Sequence, residues 1–214
     1  MTPSGVISEW QNSTVLKTPH AVMNIHGTIE DLRLIEPGIR VGPLKLGDSQ
    51  ERALELFPKK PNIDQETFLP NCGTEYIWSD LDDPSHGTIM MRFKKDRVWQ
   101  IESVSANYHT RDGIAVGDSP DRVRESYKGL SAFLLLGPMP EVFGERPLIF
   151  WTDQEKGIAF AFAYSRANRE RYLYKIIVYA PKSTFCPEGE EMSPKNWREM
   201  VPYALEPADR MASF

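Results

Sequence analysis

The sequence predicts an α+β protein built from two tandem copies of a helix followed by an antiparallel β-meander, with the helices packed on one sheet face. Three observations carry that expectation. A short phrase occurs twice: Pro43-Leu44-Lys45-Leu46-Gly47-Asp48-Ser49 returns as Gly113-Ile114-Ala115-Val116-Gly117-Asp118-Ser119. Each phrase leads into a short segment with helical spacing of apolar residues. Downstream, Trp78-Ser79-Asp80 corresponds to Trp151-Thr152-Asp153, and Gly87 or Gly157 then opens the next strand. A fixed period of this kind is the signature of repeated supersecondary units.

Taken in order, residues 1–36 form an N-terminal extension of mixed polarity. Within it, 21–26 and 28–35 read as strands, or as a strand and a short helix, and Glu36-Pro37-Gly38 reads as a turn. The first copy spans 37–106. After a strand at 39–41, Gly47 supplies a residue able to take positive φ, Asp48 completes the turn, and Ser49 caps a helix over 49–57. Ala53, Leu54 and Phe57 make its apolar face, and Pro58 blocks continuation. The stretch 58–70 is broken by prolines and reads as a connection. Strands follow at 74–79, 87–93 and 97–104, the last two joined by the hairpin-length link Lys94-Lys95-Asp96.

The second copy spans 107–182 and repeats the plan. Gly117 and Asp118 form the turn, Ser119 is the N-cap and Pro120 sits at the first helical position, where its missing N–H is harmless. Val123 and Tyr127 share a face, and Gly129 ends the helix. A Gly/Pro-rich connection leads to strands at 148–152, 157–163 and 172–179. Phe160 and Phe162 alternate with small alanines in the middle one. The tail, 183–214, holds one further helix, capped by Ser193, started by Pro194 and presenting Trp197, Met200 and Val201.

Composition narrows the function. With 214 residues and 41% apolar content the chain is long enough to bury a core. Lys plus Arg number 25 against 30 Asp plus Glu, a net charge of −5 that argues against a nucleic-acid surface. No run approaches the ~20 apolar residues of a membrane span. The first residues lack the basic and apolar regions of a signal peptide. Cys72 and Cys186 exclude a four-thiolate zinc site; two unpaired thiols are the plainer reading, with a single bridge left open.

Catalytic and metal chemistry finds little purchase. His20, His26, His86 and His109 are scattered without i, i+4 pairing, and read as loop or surface residues. Asp80, Asp82 and Asp83 lack the glycine and closing glutamate of a calcium loop, so a solvated turn is expected. Glu75, Asp80, Glu102 and Asp153 are the acids from which a hydrolase pair would be drawn once a fold brings them together. Ser49 and Ser119 do not sit in a Gly-x-Ser-x-Gly nucleophile turn; capping explains them. An anion at these helix starts would meet Asp48 or Asp118. No cofactor, metal or catalytic residue is expected.

Two copies of Gly-Asp-Ser followed by a short helix and a meander, over residues 39 to about 180, resemble the tandem β-lactamase-inhibitor-protein fold. The same plan in single copy resembles the small lipoprotein of the outer-membrane barrel-assembly machine. The resemblance implies a noncatalytic, exported protein that presents a curved sheet face to a partner. Those inhibitors carry a disulfide within each copy, whereas this chain has at most one cysteine per copy, so no inhibitory residue carries over.

Aromatic residues on the expected strands are then the binding candidates: Tyr76, Trp78, Trp99, Trp151, Tyr172 and Tyr174. Alternation turns some of them away from the helices, where they would anchor a protein partner, and large residues also fill thin cores. The expected function is noncatalytic binding of another protein. The rival is a module for cell-wall glycan or a small apolar molecule, with Trp78, Trp99 and Trp151 lining a groove; a hydrolase with an unrecognised site comes last.

Overall fold

A computed structural model of the chain describes residues 31–57, 63–69, 72–79, 88–135 and 148–187; for 31, 63–69, 77–79 and 134–135 it describes the backbone alone. The expected helix at 193–202, the strand candidate at 21–26, the acidic turn at 80–83 and three of the histidines lie outside these residues.

Strands dominate. A 3-10 turn, Asp31–Arg33, leads into β1 (Leu34–Glu36), β2 (Arg40–Val41) and β3 (Leu44–Lys45), then α1 (Gln50–Leu56). Next come β4 (Ile63–Leu69), β5 (Gly73–Ser79), β6 (Thr88–Lys94), β7 (Arg97–Ser103) and β8 (His109–Thr110). After α2 (Pro120–Ser126) follow β9 (Ser131–Leu135), β10 (Leu148–Asp153), β11 (Ile158–Ser165) and β12 (Glu170–Tyr179). They form an eight-stranded sheet in the order β4-β5-β6-β7-β12-β11-β10-β9 and a four-stranded one, β3-β2-β1-β8. The large sheet is antiparallel throughout.

This corrects the expected fold class. The chain is not two tandem helix-plus-meander copies with helices packed on one sheet, but a mostly β molecule with two sheets and, among the described residues, two short helices. Each helix has seven residues and contributes little to the core: Ala53 from α1, Pro120 and Val123 from α2. The runs between them, rich in β-branched and aromatic residues, take the pleated conformation these side chains favour. Two stretches read as connections are strands: β4 within 58–70, and β9 after Gly129. The N-terminal extension supplies β1, which pairs in parallel with β8 and so ties it to the segment before α2.

The repeated phrase is nonetheless used in the same way at both places. Gly47 and Gly117 adopt φ of 86° and 101°. Gly47 N–H donates to Val98 O at 2.7 Å and Val98 N–H to Asp48 O at 2.9 Å; Gly117 and Asp118 make the same two bonds with Leu173, at 2.7 and 2.8 Å. The carboxylates of Asp48 and Asp118 accept from Lys45 N and Ala115 N, and the hydroxyls of Ser49 and Ser119 accept from Arg52 N and Arg122 N. Each phrase thereby pins the start of a helix to one strand of the central β7·β12 pair, satisfying donors a helix start leaves open.

A second parallel lies in those two strands. Each bears a bulge whose extra residue is aromatic: Trp99, between the pairs Phe93↔Val98 and Arg92↔Gln100, and Tyr174, between Phe162↔Leu173 and Ala161↔Lys175. The bulge resets the alternation. Leu173 consequently faces the helix-side core, whereas Lys175, two positions on, turns to the opposite face.

The helix-side core takes Ile158, Phe160 and Phe162 from β11, and the opposite face takes Ala159, Ala161 and Ala163. The alanines are small because rings occupy that side: Phe150 sits opposite Ala161, stacks on Phe133 with centroids 5.1 Å apart, and meets Phe185. Phe185 belongs to a strap, 183–187, that leaves the end of β12 and crosses the far face. Its ring stacks on Tyr179 at 4.9 Å, and Gln100 brackets the strap by accepting from Cys186 N and donating to Cys186 O, both at 2.7 Å. Tyr179 hydroxyl bonds Thr152 Oγ1 at 2.5 Å; burial outweighs that bond and pushes its pKa far above the ordinary tyrosine value.

The strap ends in a disulfide, Cys72–Cys186, with Cα atoms 5.8 Å apart. The reading of two unpaired thiols is thus corrected: β5, β6, β7 and β12 are neighbours, and the strap brings Cys186 back across them to the turn before β5. The bridge links residues 114 apart, which in the chain-entropy model stabilises by about 5 kcal/mol.

Candidate functional site

Charged side chains first gather on the far face under the strap. Glu75 on β5 lies directly opposite Arg92 on β6, and the two form an ion pair. Arg92 Nε also donates to Glu102 Oε1 at 2.8 Å, Gln100 Nε2 donates to the same oxygen at 2.7 Å, and Lys175 Nζ stands 2.6 Å from Glu102 Oε2. Lys175 further donates to Pro187 O at 3.2 Å. Burial alone would raise the Glu102 pKa, but Lys175 and then Arg92 outweigh it and hold the carboxyl below its ordinary value. Glu102 is 0% exposed and Glu75 9%, so the network is a largely buried set of paired charges. Two of the four acids considered for hydrolysis, Glu75 and Glu102, thus converge on one arginine; Asp153 lies apart, paired with Lys156 at 2.8 Å.

The aromatic candidates scatter. Trp151 is 1% exposed and stands 4.6 Å from Phe162 in the helix-side core, its Nε1 without a hydrogen-bond partner among the described residues. Tyr76 is half-buried on the same side, edge-on to Phe93 at 5.3 Å, its hydroxyl accepting from Gln50 Nε2. Trp78 sits on β5 opposite Ile89 by its backbone. Trp99, half-buried, donates from Nε1 to Cys72 O at 3.0 Å, with Lys94 Nζ 3.7 Å over its ring. Tyr172 and Tyr174 pack against the ring cluster of the far face. The register Tyr179↔Gln100 and Ile176↔Ser103 puts Trp99 and Tyr174 at opposite ends of the central pair, about 20 Å apart at 3.3 Å per residue. They do not make one patch.

The arrangement that does open to solvent is at the end of the β11–β12 hairpin. There the two strands run past the buried part of the sheet, Ser165 pairing with Glu170, and Arg169 takes a φ of 56° to close the turn. Ser165 Oγ accepts from Asn168 N at 3.3 Å and stiffens it. Between this hairpin and the start of α2 lies a cleft of about 600 Å³, lined by Tyr164, Tyr172, Arg166, Arg171, Asn168 and Ser119 among others. Arg171 Nη1 donates to Phe162 O at 3.5 Å, holding its guanidinium along the strand.

The corresponding hairpin, β6–β7, is shorter, turning on Lys95 and Asp96, both at positive φ. The surface beside α1 is lined by Glu51, Glu55, Asp96 and Leu54 with Ser49 and Gln50. The two equivalent positions therefore differ in lining, Glu51, Glu55 and Asp96 at one and Tyr164, Arg166, Glu170 and Arg171 at the other. Of the cleft residues, sequence reasoning named Tyr172 as a binding candidate, and Gly117 and Ser119 only as turn and cap. Tyr164, Arg166 and Arg171 were missed, although a mostly polar stretch between two apolar strands, 165–170, marked the long hairpin.

Among the described residues no group of three or more His, Cys, Asp or Glu is placed to hold a metal ion, and no helix is long and apolar enough to cross a membrane. No protein-family model matches the chain, and no curated protein matches it. Among solved structures, it is similar to an extracellular protein containing an SCP domain from Bacillus anthracis str. Ames, with a TM-score of 0.39 and 8% identity. The match covers 83% of this chain and 51% of that one, so the chain spans about half the length of the structure it matches. A likeness at that score says nothing about what this chain does.

Proposed function

We propose that this chain is a noncatalytic binding protein that works outside the reducing cytoplasm and engages a protein partner through the β11–β12 hairpin. The observation that carries this reading is an open cleft whose lining includes Tyr164, Arg166 and Arg171. Tyrosine and arginine are the residues that dominate binding energy at protein interfaces, because each combines a large contact area with directed hydrogen bonds. The buried Cys72–Cys186 bridge supports an oxidising compartment, where disulfides form and persist. The glycan reading relied on Trp78, Trp99 and Trp151 lining one groove, and Trp151 is spent on the core.

The test is affinity capture from the native source with wild type beside a Tyr164→Ala/Arg166→Glu variant whose melting temperature is matched to wild type. A defined protein held by wild type and lost by the folded variant supports the reading. Equal capture by both refutes the hairpin as the contact. Capture of nothing, together with binding to a glycan array, replaces a protein partner with a carbohydrate.

A further inference from the structure

We propose that the Cys72–Cys186 bridge is a redox latch. While it is closed, the strap 183–187 seals the ion network of the far face; its reduction lets the strap lift and opens that network to water with the sheet still folded. The latch is independent of the β11–β12 hairpin, which lies at the other end of β12. Two side chains tie the strap to the network. Gln100 Nε2 donates both to Cys186 O and to Glu102 Oε1, each at 2.7 Å. Lys175 Nζ donates to Pro187 O at 3.2 Å and stands 2.6 Å from Glu102 Oε2. Each serves the strap and the buried carboxylate at once, so departure of the strap removes one partner from each and lets water in beside Glu102.

The strap is hinged as a lid. It leaves β12 through an exposed turn, 180–182, where Lys182 takes a φ of 59°. That root is tied separately, Lys182 N donating to Gln154 O at 2.9 Å. Beyond it the segment is held by Phe185 against the far-face rings, by the Gln100 bracket and by the bond to Pro187 O; the disulfide is its one covalent cross-link to the sheet. The helix-side core, with Phe160, Phe162 and Leu173, takes no side chain from the strap among the described residues. Strand pairing from β4 through to β9 does not use it either. Losing the strap therefore uncovers one face and leaves the other packed. With the bridge cut, the freedom of the released end opposes reclosure.

A dithiol supplies the electrons. Its thiolate attacks one sulfur of the bridge, forming a mixed disulfide and expelling the other cysteine as a thiolate that takes up a proton. The second thiol then closes on the first and expels the remaining cysteine likewise. Two electrons and two protons pass to the cystine, and the dithiol leaves as a cyclic disulfide. Both cysteines are 0% exposed, so attack waits on a transient lifting of the strap.

The experiment compares the full chain, oxidised and after dithiothreitol, by hydrogen exchange and by acylation of Lys175 with an amine-reactive ester, both read by mass spectrometry. Reduction should raise exchange at the Cys186 amide and acylation of Lys175 at least about tenfold, while β11, held between β10 and β12, stays protected. Reoxidation should restore both, and a Cys186→Ser chain should match reduced wild type. A strap as protected after reduction as before overturns the latch, because its noncovalent contacts then suffice to keep it shut. Loss of protection in β11 together with the strap overturns it too, because the bridge then holds the whole fold.

Discussion

Replacing Glu102 with glutamine should be the most costly conservative change in the far face. The glutamate accepts from Arg92 and Gln100 and faces Lys175, and the interacting groups are dry: Lys175 is 1% exposed and Arg92 2%. Glutamine keeps the shape and removes the charge, leaving Lys175 buried without this carboxylate. Breaking a buried pair from one side costs about 3–5 kcal/mol, well above the cost of one neutral hydrogen bond. Urea unfolding at pH 7 reads the loss directly. Converting both partners, Glu102→Leu with Lys175→Met, should recover part of it, with a coupling of at least ~1.5 kcal/mol between the two changes. The pH dependence fixes the sign independently. Burial raises the Glu102 pKa, Lys175 and Arg92 lower it further, and the net direction is down. Its contribution is therefore complete above the unfolded value and is lost as pH falls through the lower, folded value. The gap between wild type and Glu102→Gln should hold from pH 7 to about pH 5 and close below it. A loss under ~1 kcal/mol, or a gap unchanged down to pH 3, would refute a charged, dry network.

Glycines separate strain from crowding. At Gly157, φ +73°, an added Cβ would meet Tyr179 O at 2.1 Å and Pro181 N at 2.9 Å, both backbone; Gly117, φ +101°, has nothing within 4 Å. Gly117→Ala should cost roughly 1–2 kcal/mol from backbone conformation alone, and Gly157→Ala clearly more, so equal losses in denaturant unfolding would contradict the packing described. Ser49→Ala and Ser119→Ala should each cost about 1 kcal/mol, and the double variant should lose their sum to within ~0.5 kcal/mol, because the two caps sit at opposite ends of the central strand pair.

Local chemistry was legible. Both Gly-Asp-Ser turns, both caps and six strands stand where periodicity and turn residues placed them, because each is decided within a few positions. Composition misled at two strands. Asp64-Gln65-Glu66-Thr67 looks like a loop between prolines, yet it lies within β4, which pairs with β5 at Ile63 and again from Thr67 to Leu69. At 131–135 the apolar run was present but was absorbed into the Gly/Pro-rich stretch that follows it. The fold class failed for a different reason. A helix of seven residues and one of twelve begin with the same cap, and reading two helices as architectural partners of the sheet overstated what about two turns of chain can bury.

Long-range placement was not legible, and the candidate site depended on it. Glu75, Arg92, Glu102 and Lys175 belong to four strands, each charge unremarkable on its own; only the order β5-β6-β7-β12 lines them up. One local sign existed: Lys175 stands in phase with Leu173 and Ile177, so strict alternation would put a lysine among core leucines and isoleucines. The bulge at Tyr174 resolves that conflict by sending Leu173 to one face and Lys175 to the other, and the equivalent bulge at Trp99 brings Gln100 under the strap. Counting faces by twos therefore fails at Trp99 and Tyr174, two of the six aromatics named as binding candidates. Trp99 is tied to Cys72 O and Tyr174 packs on the far-face rings, which is why the proposed contact is placed where the β11–β12 hairpin outruns the core.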